Sequence, residues 1–291
     1  MSQSIAALPP DRVVLVPSER RDAVLDVIRQ ARSHLSLSLF RCNDKEIFRE
    51  LHAAVDRGVD VEVLVTSRAK GGRKKLRKLW QRLSETGATV YAYNDPVVKY
   101  HAKYLVADNG PAMVTTLNPT RKCFTRTWDA VLVTQDAAVV RSLLHLFEAD
   151  AAGRAPSLGR GFSRRLILGP ERARSDVHAL IAGARHSIRI LDHKLSDPGV
   201  MTLLRDRRDA GVKVSVLGAR LAGPLEPHGK LMIVDETRAM VGSLALSTLS
   251  LDFHREVALV VEDPAAVRRL SAAFQELSAR AGARAHRLPG D

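Results

Sequence analysis

An eight-residue pattern occurs twice in this chain and limits the possible folds more than any other feature. His101-Ala102-Lys103-Tyr104-Leu105-Val106-Ala107-Asp108 and His228-Gly229-Lys230-Leu231-Met232-Ile233-Val234-Asp235 both read His, any residue, Lys, four residues, Asp. The copies stand 127 residues apart (228 − 101). A β-strand sends residues i and i+2 to one face. If Tyr104 to Ala107 and Leu231 to Val234 are buried strands, each His and Lys therefore project together from one strand end. The small residue between them, Ala102 or Gly229, leaves the opposite face free for close packing.

The two copies also share polar positions downstream. Fifteen residues after each His (116 − 101, 243 − 228) stands a hydroxyl, Thr116 or Ser243. Twenty-eight residues after each His (129 − 101, 256 − 228) stands an acid, Asp129 or Glu256. A lone His-x-Lys would mean a solvated strand end, whereas two copies in register with hydroxyl and acid partners point to one duplicated site.

The flanking sequence alternates as an α/β chain does. Val13 to Val16 reads as a strand closed by Pro17-Ser18, with Ser18 as the N-cap of a helix bearing Val24, Leu25 and Ile28. His34 to Phe40 alternates as a strand, Ile47, Leu51 and Val55 mark a helix closed at Gly58, and Val59 to Val65 is a further strand. The second half replays this order. Its strands are expected at Arg165 to Leu168, Ser187 to Leu191 and Val212 to Leu217. Its helices are expected around Val177, Leu180 and Ile181, and around Val200, Leu203 and Leu204. Helices over Ala137 to Ala149 and Ala265 to Ala279 close the two halves. The expected division is a first repeat at 1–152, a Gly- and Pro-bearing linker at 153–163, and a second repeat at 164–291.

Pro17 and Pro170 differ by 153 (170 − 17) against 127 for the motifs, so about 26 residues of the first half have no counterpart in the second. That material runs from Lys70 to about Asn94 and holds the densest positive run, Lys70 to Trp80. Leu76, Leu79, Trp80 and Leu83 fall on one helical stripe. The helix therefore reads as a crossover packed by its stripe, as a basic surface for anionic lipid heads or a phosphate backbone, or as both. A net charge of +13 favours polyanionic partners without choosing among them. No signal peptide and no membrane-spanning run are expected. Cys42 and Cys123 lack metal-ligand spacing and read as small core residues, in keeping with a reducing compartment.

The paired motifs with their hydroxyls and acids resemble the phospholipase D superfamily, and the likeness covers most of the chain. It implies two tandem repeats, each a mixed β-sheet flanked by helices, packed around a shared active-site cleft. It also implies a metal-independent phosphodiesterase or phosphatidyltransferase that needs no cofactor. His101, Lys103, His228 and Lys230 would be catalytic, one imidazole forming a phosphohistidine and the other serving as acid and base. The resemblance puts Thr116, Ser243 and Asn118 on the phosphate, and Asp129 and Glu256 on the ring nitrogen that orients each histidine. The motif aspartates, Asp108 and Asp235, read as structural, because Asp108-Asn109-Gly110 is a turn sequence. Two departures make the halves unequal: Thr115 stands where Gly242 keeps the family's glycine, and Ala245 stands where Asn118 keeps its asparagine. Asp129 is also one methylene shorter than the usual glutamate.

A phospholipid substrate, as for cardiolipin synthase-like members, is the first reading, with Leu195 to Pro198 resembling that group's second half. It carries peripheral contact with an anionic membrane and a cytoplasmic location, at its inner face. A nuclease cleaving DNA or RNA is the alternative, followed by an inactive relative that only binds anionic ligands. His193-Lys194 follows a strand end and is open to a place in the pocket or to a plain loop position. No other histidine has a metal-ligand spacing, so no zinc site is expected. One chain supplies both motifs, so a monomer suffices.

Overall fold

The computed structural model describes residues 10–68, 72–218, 221 and 224–281. Met1 to Pro9, Lys70 and Gly71 of the basic run, and the tail from Gly282 lie outside them. The first half runs β1 (Arg12–Val14), α1 (Pro17–Gln30), β2 (His34–Leu39), α2 (Lys45–Asp56), β3 (Asp60–Thr66), α3 (Arg73–Ser84), β4 (Thr89–Tyr93) and β5 (Lys99–Tyr100). It continues through β6 (Tyr104–Ala107), β7 (Ala112–Thr115), α4 (Arg121–Thr125), β8 (Thr127–Trp128), β9 (Val131–Thr134) and α5 (Ala137–Ala151). The second half runs β10 (Leu166–Gly169), α6 (Ala173–Ala182), β11 (Ser187–Leu191), α7 (Pro198–Asp209), β12 (Lys213–Leu217) and β13 (Glu226–Pro227). It ends with β14 (Leu231–Val234), β15 (Arg238–Gly242), α8 (Thr248–Asp252), β16 (His254–Val261) and α9 (Pro264–Ala281).

The strands form two mixed sheets. The first is ordered β1-β9-β7-β6-β2-β3-β4 and the second β10-β16-β15-β14-β11-β12. Along these two orders β2 with β3, β3 with β4, and β11 with β12 pair in parallel, through the crossovers α2, α3 and α7. Strand β5 joins the second sheet by pairing with β16, also in parallel, and β13 with β8 forms a separate two-stranded sheet. The extra stretch of the first half thus supplies one helix and one edge strand, α3 and β4. On α3, Leu79 and Leu83 are buried, while Leu76 and Trp80 are partly covered.

The motif strands β6 and β14 are central, and all four residues of each are buried. Their alternation divides the core. Tyr104 and Val106 of β6, with Leu231 and Ile233 of β14, enter one cluster shared by both halves. Leu105 and Ala107 face the cluster under α1 and α2, and Met232 and Val234 face the one under α6 and α7. Helices α5 and α9 add Leu143, Phe147, Leu270 and Phe274 to the shared cluster, so the sheets close on a common hydrophobic layer.

Two local readings differ from the sequence expectations. Helix α1 begins at Pro17 with Val16 as its N-cap and no side-chain cap, so Ser18 lies inside the first turn. Proline's missing N–H would have had no intrahelical partner at the helix start, and its fixed φ suits the first helical position. The one-turn helices α4 and α8, which precede the two acids, have too few residues to show a period.

Candidate active site

The site lies on the seam between halves, and two short strand pairs create it. Strand β5 runs parallel to β16, and the His101 amide donates to Arg255 O at 2.9 Å. Strand β13 runs parallel to β8, and the Gly229 amide donates to Trp128 O at 2.7 Å. Each half thereby offers its histidine to the other half's acid. His101 Nδ1 lies 2.9 Å from Glu256 Oε2 and 3.0 Å from Oε1, and His228 Nδ1 lies 2.7 Å from Asp129 Oδ1. An ionised carboxylate only accepts, so both Nδ1 atoms carry a proton and each Nε2 is the ring atom left for chemistry.

The small residue between His and Lys is what lets the seam close. Ala102 is fully buried in the shared core. At Gly229 a Cβ would stand 2.5 Å from the Trp128 ring, so only glycine fits.

Both acids are buried and held. Thr116 donates to Asp129 Oδ1 at 2.6 Å, and the Thr127 hydroxyl donates to Oδ2. Ser250 donates to Glu256 Oε1 at 2.9 Å, and His254 Nδ1 approaches the same oxygen. Burial on its own would raise both acids. For Asp129 the hydrogen bonds from His228, Thr116 and Thr127 outweigh burial and hold the carboxyl below its usual range. For Glu256 the charge and hydrogen bond of His101 do the same, more strongly. Asp129, although a methylene short, reaches its histidine because β8 and β13 bring the backbones together.

The lysines are buried beside the histidines. Lys103 Nζ donates to His101 O at 2.6 Å and Lys230 Nζ to His228 O at 2.7 Å, leaving each ammonium further protons for an anion. Burial, opposed by Glu256 and reinforced by Lys230, brings Lys103 down to about 7. Burial also lowers Lys230. Desolvation lowers His101 well below the ordinary imidazole range, against the pull of Glu256, with Lys103 and Lys230 adding to the fall. The crossed His–acid contacts set the two motifs on one seam.

Thr116 and Ser243 are fully buried, and their hydroxyls turn inward. Besides Asp129, Thr116 receives the Ala130 amide at 3.0 Å, and Ser243 exchanges hydrogen bonds with the Val257 amide and carbonyl. The resemblance put these hydroxyls on the phosphate, whereas in the fold they brace the strands that carry the acids. Asn118 is buried with its Oδ1 unpartnered, and Ala245 is buried at the matching place. Thr115 is accommodated by turning its hydroxyl to Ala130 O at 3.0 Å. Gly242 has no such latitude, since a Cβ there would stand 2.3 Å from Val257 O. The motif aspartates sit at the far strand ends. Asp108 accepts the amides of Arg32, Ser33 and His34, and Asp235 those of Arg185, His186 and Ser187.

The sequence did not single out Phe40, Thr127, Ser250 or His254 for the site, and it left His193 open to a pocket or a loop position. Phe40 lies edge-on to His101 with ring centroids 4.8 Å apart. His193 occupies the corresponding place in the second half (193 − 40 = 170 − 17). Burial, with Lys230, Lys194 and His228 close by, lowers His193 to about 4.

Among the described residues, no helix is long and apolar enough to cross a membrane. No curated protein matches the chain. Among solved structures, the chain is similar to polyphosphate kinase from Porphyromonas gingivalis, with 22% identity, a TM-score of 0.77, and 91% of this chain and 46% of that one covered. The chain thus spans about half of that protein's length. It is also similar to phosphatidylserine synthase from Haemophilus influenzae Rd KW20, with 12% identity, a TM-score of 0.68, and 93% and 86% of the two chains covered. At these identities the likenesses show the fold. The family model described as "Cardiolipin synthase, PLD-like domain" matches residues 24–151 and 219–278, more than half of the chain, and the protein belongs to this phospholipase D-like family.

Proposed function

We propose that the cleft hydrolyses or transfers a phosphodiester of a phospholipid through a phosphohistidine on His101. Members of the family are generally phosphoryl-transfer enzymes. The observation that carries the proposal is the crossed pairing, in which each imidazole has its Nδ1 proton fixed by a buried acid and its Nε2 left for chemistry. Two such rings beside two ammonium groups match the needs of an in-line displacement at phosphorus. His101 Nε2 attacks phosphorus while His228, protonated, gives its Nε2 proton to the leaving oxygen. His228 then takes a proton from water or an alcohol, whose oxygen attacks phosphorus and breaks the P–N bond. Lys103 and Lys230 offset the charge on the non-bridging oxygens. The low proton affinity of His101 supports its assignment as nucleophile, since it is the neutral form that attacks.

A lipid substrate is supported by the description of the matching family and by the amphipathic α3, whose Arg73, Lys74, Lys75, Arg77 and Lys78 suit peripheral contact with an anionic leaflet. Purified protein is incubated, with chelator present, with phosphatidylglycerol, phosphatidylcholine, single-stranded DNA and RNA, beside His101→Ala and His228→Ala. Lipid turnover lost in both variants is the expected result. Strand cleavage would replace the lipid reading with the nuclease one, and retained binding without turnover would leave an inactive relative. A trapped phosphohistidine on His228 would exchange the roles of the rings.

A further inference from the structure

The two His–acid pairs differ in the side chain that stands six residues before each acid. On α8, Ser250 donates its hydroxyl to Glu256. The residue at the same spacing from Asp129 (129 − 123 = 256 − 250) is Cys123 on α4. Its Sγ, a carboxylate oxygen of Asp129 and a ring nitrogen of His228 all lie within 4.8 Å of one another. We propose that Cys123, Asp129 and His228 form a capture site for a thiophilic divalent cation such as Zn2+, and that occupancy switches off His228.

A tetrahedral Zn2+ with Zn–S of about 2.3 Å and Zn–N and Zn–O near 2.0–2.2 Å has ligand–ligand edges of roughly 3.3–3.7 Å. The trio needs to open His228–Asp129 and draw in the sulfur, both by about 1 Å on that estimate. The backbone beside Cys123 is anchored, which leaves the shift to the side chains. The Cys123 amide donates to Thr120 Oγ1, and the buried Arg20 guanidinium donates to Cys123 O and Thr127 O. Cys123 and Asp129 are buried, whereas the His228 side chain is 25% exposed, so the ion enters past the imidazole and keeps a water on its outer side.

Charge selects the ion. Arg20 faces both Cys123 and Asp129, Lys103 faces Cys123, and Lys230 and Lys194 stand near the Asp129–His228 end. These cations oppose a dication held by one carboxylate. A thiolate bond overcomes them, which favours Zn2+, Cd2+ and Co2+ over Mg2+ and Ca2+. One ion enters and the thiol proton leaves. The protonated His228 loses its Nδ1 proton to solvent as the metal takes Nδ1, and it keeps its Nε2 hydrogen. His228 Nε2 then bears a hydrogen and has no lone pair, so the ring cannot accept the proton that turnover requires. The His101–Glu256 pair, with a serine hydroxyl in place of the thiol, is spared.

Capture of the ion is independent of the reaction, and only its inhibitory effect rests on the proposed function. Titration of the whole chain with Co2+ is expected to give a thiolate-to-cobalt absorption band saturating at one ion per chain, erased by Zn2+ and unaffected by Mg2+. C123S, which places in the first half the hydroxyl that Ser250 has in the second, is expected to lose the band, and C42S to keep it. S250C is expected to double the band by adding a thiol to the His101–Glu256 pair, a gain that a misfolded variant would not produce. Absence of the band in the wild type, its persistence in C123S or an unchanged band in S250C would overturn the site. Zn2+ is expected to inhibit bis(p-nitrophenyl) phosphate cleavage at concentrations at least tenfold lower in the wild type than in C123S, and equal sensitivity would overturn the switch. If this diester and the lipid and nucleic-acid substrates above are all left uncleaved, the proposed function fails while the cobalt titration still decides the site.

Discussion

Replacing Glu256 with Gln tests the crossed pairing most directly. The Glu256 carboxylate accepts from His101 Nδ1 at 2.9 Å and from Ser250 Oγ at 2.9 Å, and its side chain is 1% exposed. A charge-assisted bond of this kind contributes about 1.5–3 kcal/mol. At about 1.36 kcal/mol per decade, its loss in the transition state alone predicts a roughly 10- to 150-fold fall in kcat. Gln adds a second effect. Its amide N–H, turned toward Nδ1, makes that nitrogen an acceptor and moves the ring proton to Nε2, where the lone pair is needed. A wrong tautomer of this type raises the loss toward about 10⁴-fold. The assay is kcat on bis(p-nitrophenyl) phosphate, with the downfield Nδ1–H proton resonances of the two motif histidines followed by NMR. E256Q should remove the resonance that His101→Ala removes, and Asp129→Asn the one that His228→Ala removes. If E256Q instead removes the His228 signal, or lowers kcat less than about threefold against the range expected above, the acids do not act across the halves and the reasoning fails.

Two further outcomes follow from the same geometry. Lys103 is brought to about 7 by burial and is charged only below that value, so kcat/KM should fall as pH rises through about 7; a pH–rate profile of Lys103→Arg, whose guanidinium stays charged, should lose that limb. Gly229→Ala would force a Cβ to within 2.5 Å of the Trp128 ring, so urea unfolding should register a loss of about 1–3 kcal/mol, the usual cost of overpacking, with reduced activity as His228 shifts.

Much of the fold was legible locally. The limits of β6 and β14 coincide with the apolar runs inside the two motifs, because a fully buried strand must be apolar on both faces. The 26-residue difference between halves located an insertion, which the fold resolves into α3 and the edge strand β4. Ser18 is not the cap that the sequence suggests, because Pro17 already starts the helix. The hydroxyls of Thr116 and Ser243 stood at the right spacing from their histidines, yet spacing does not tell whether a hydroxyl faces a pocket or an interior carbonyl.

By itself, the sequence determined that two equivalent strands each carry a His and a Lys on one face, with an acid at a common distance, because alternation and offset are properties of a single extended segment. Only the tertiary structure decided which acid serves which histidine. Glu256 is 155 residues from His101, and Asp129 is 99 residues from His228. Their meeting depends on two short inter-half strand pairs and on a shared hydrophobic layer, and long-range packing of that kind leaves no periodic trace in either half.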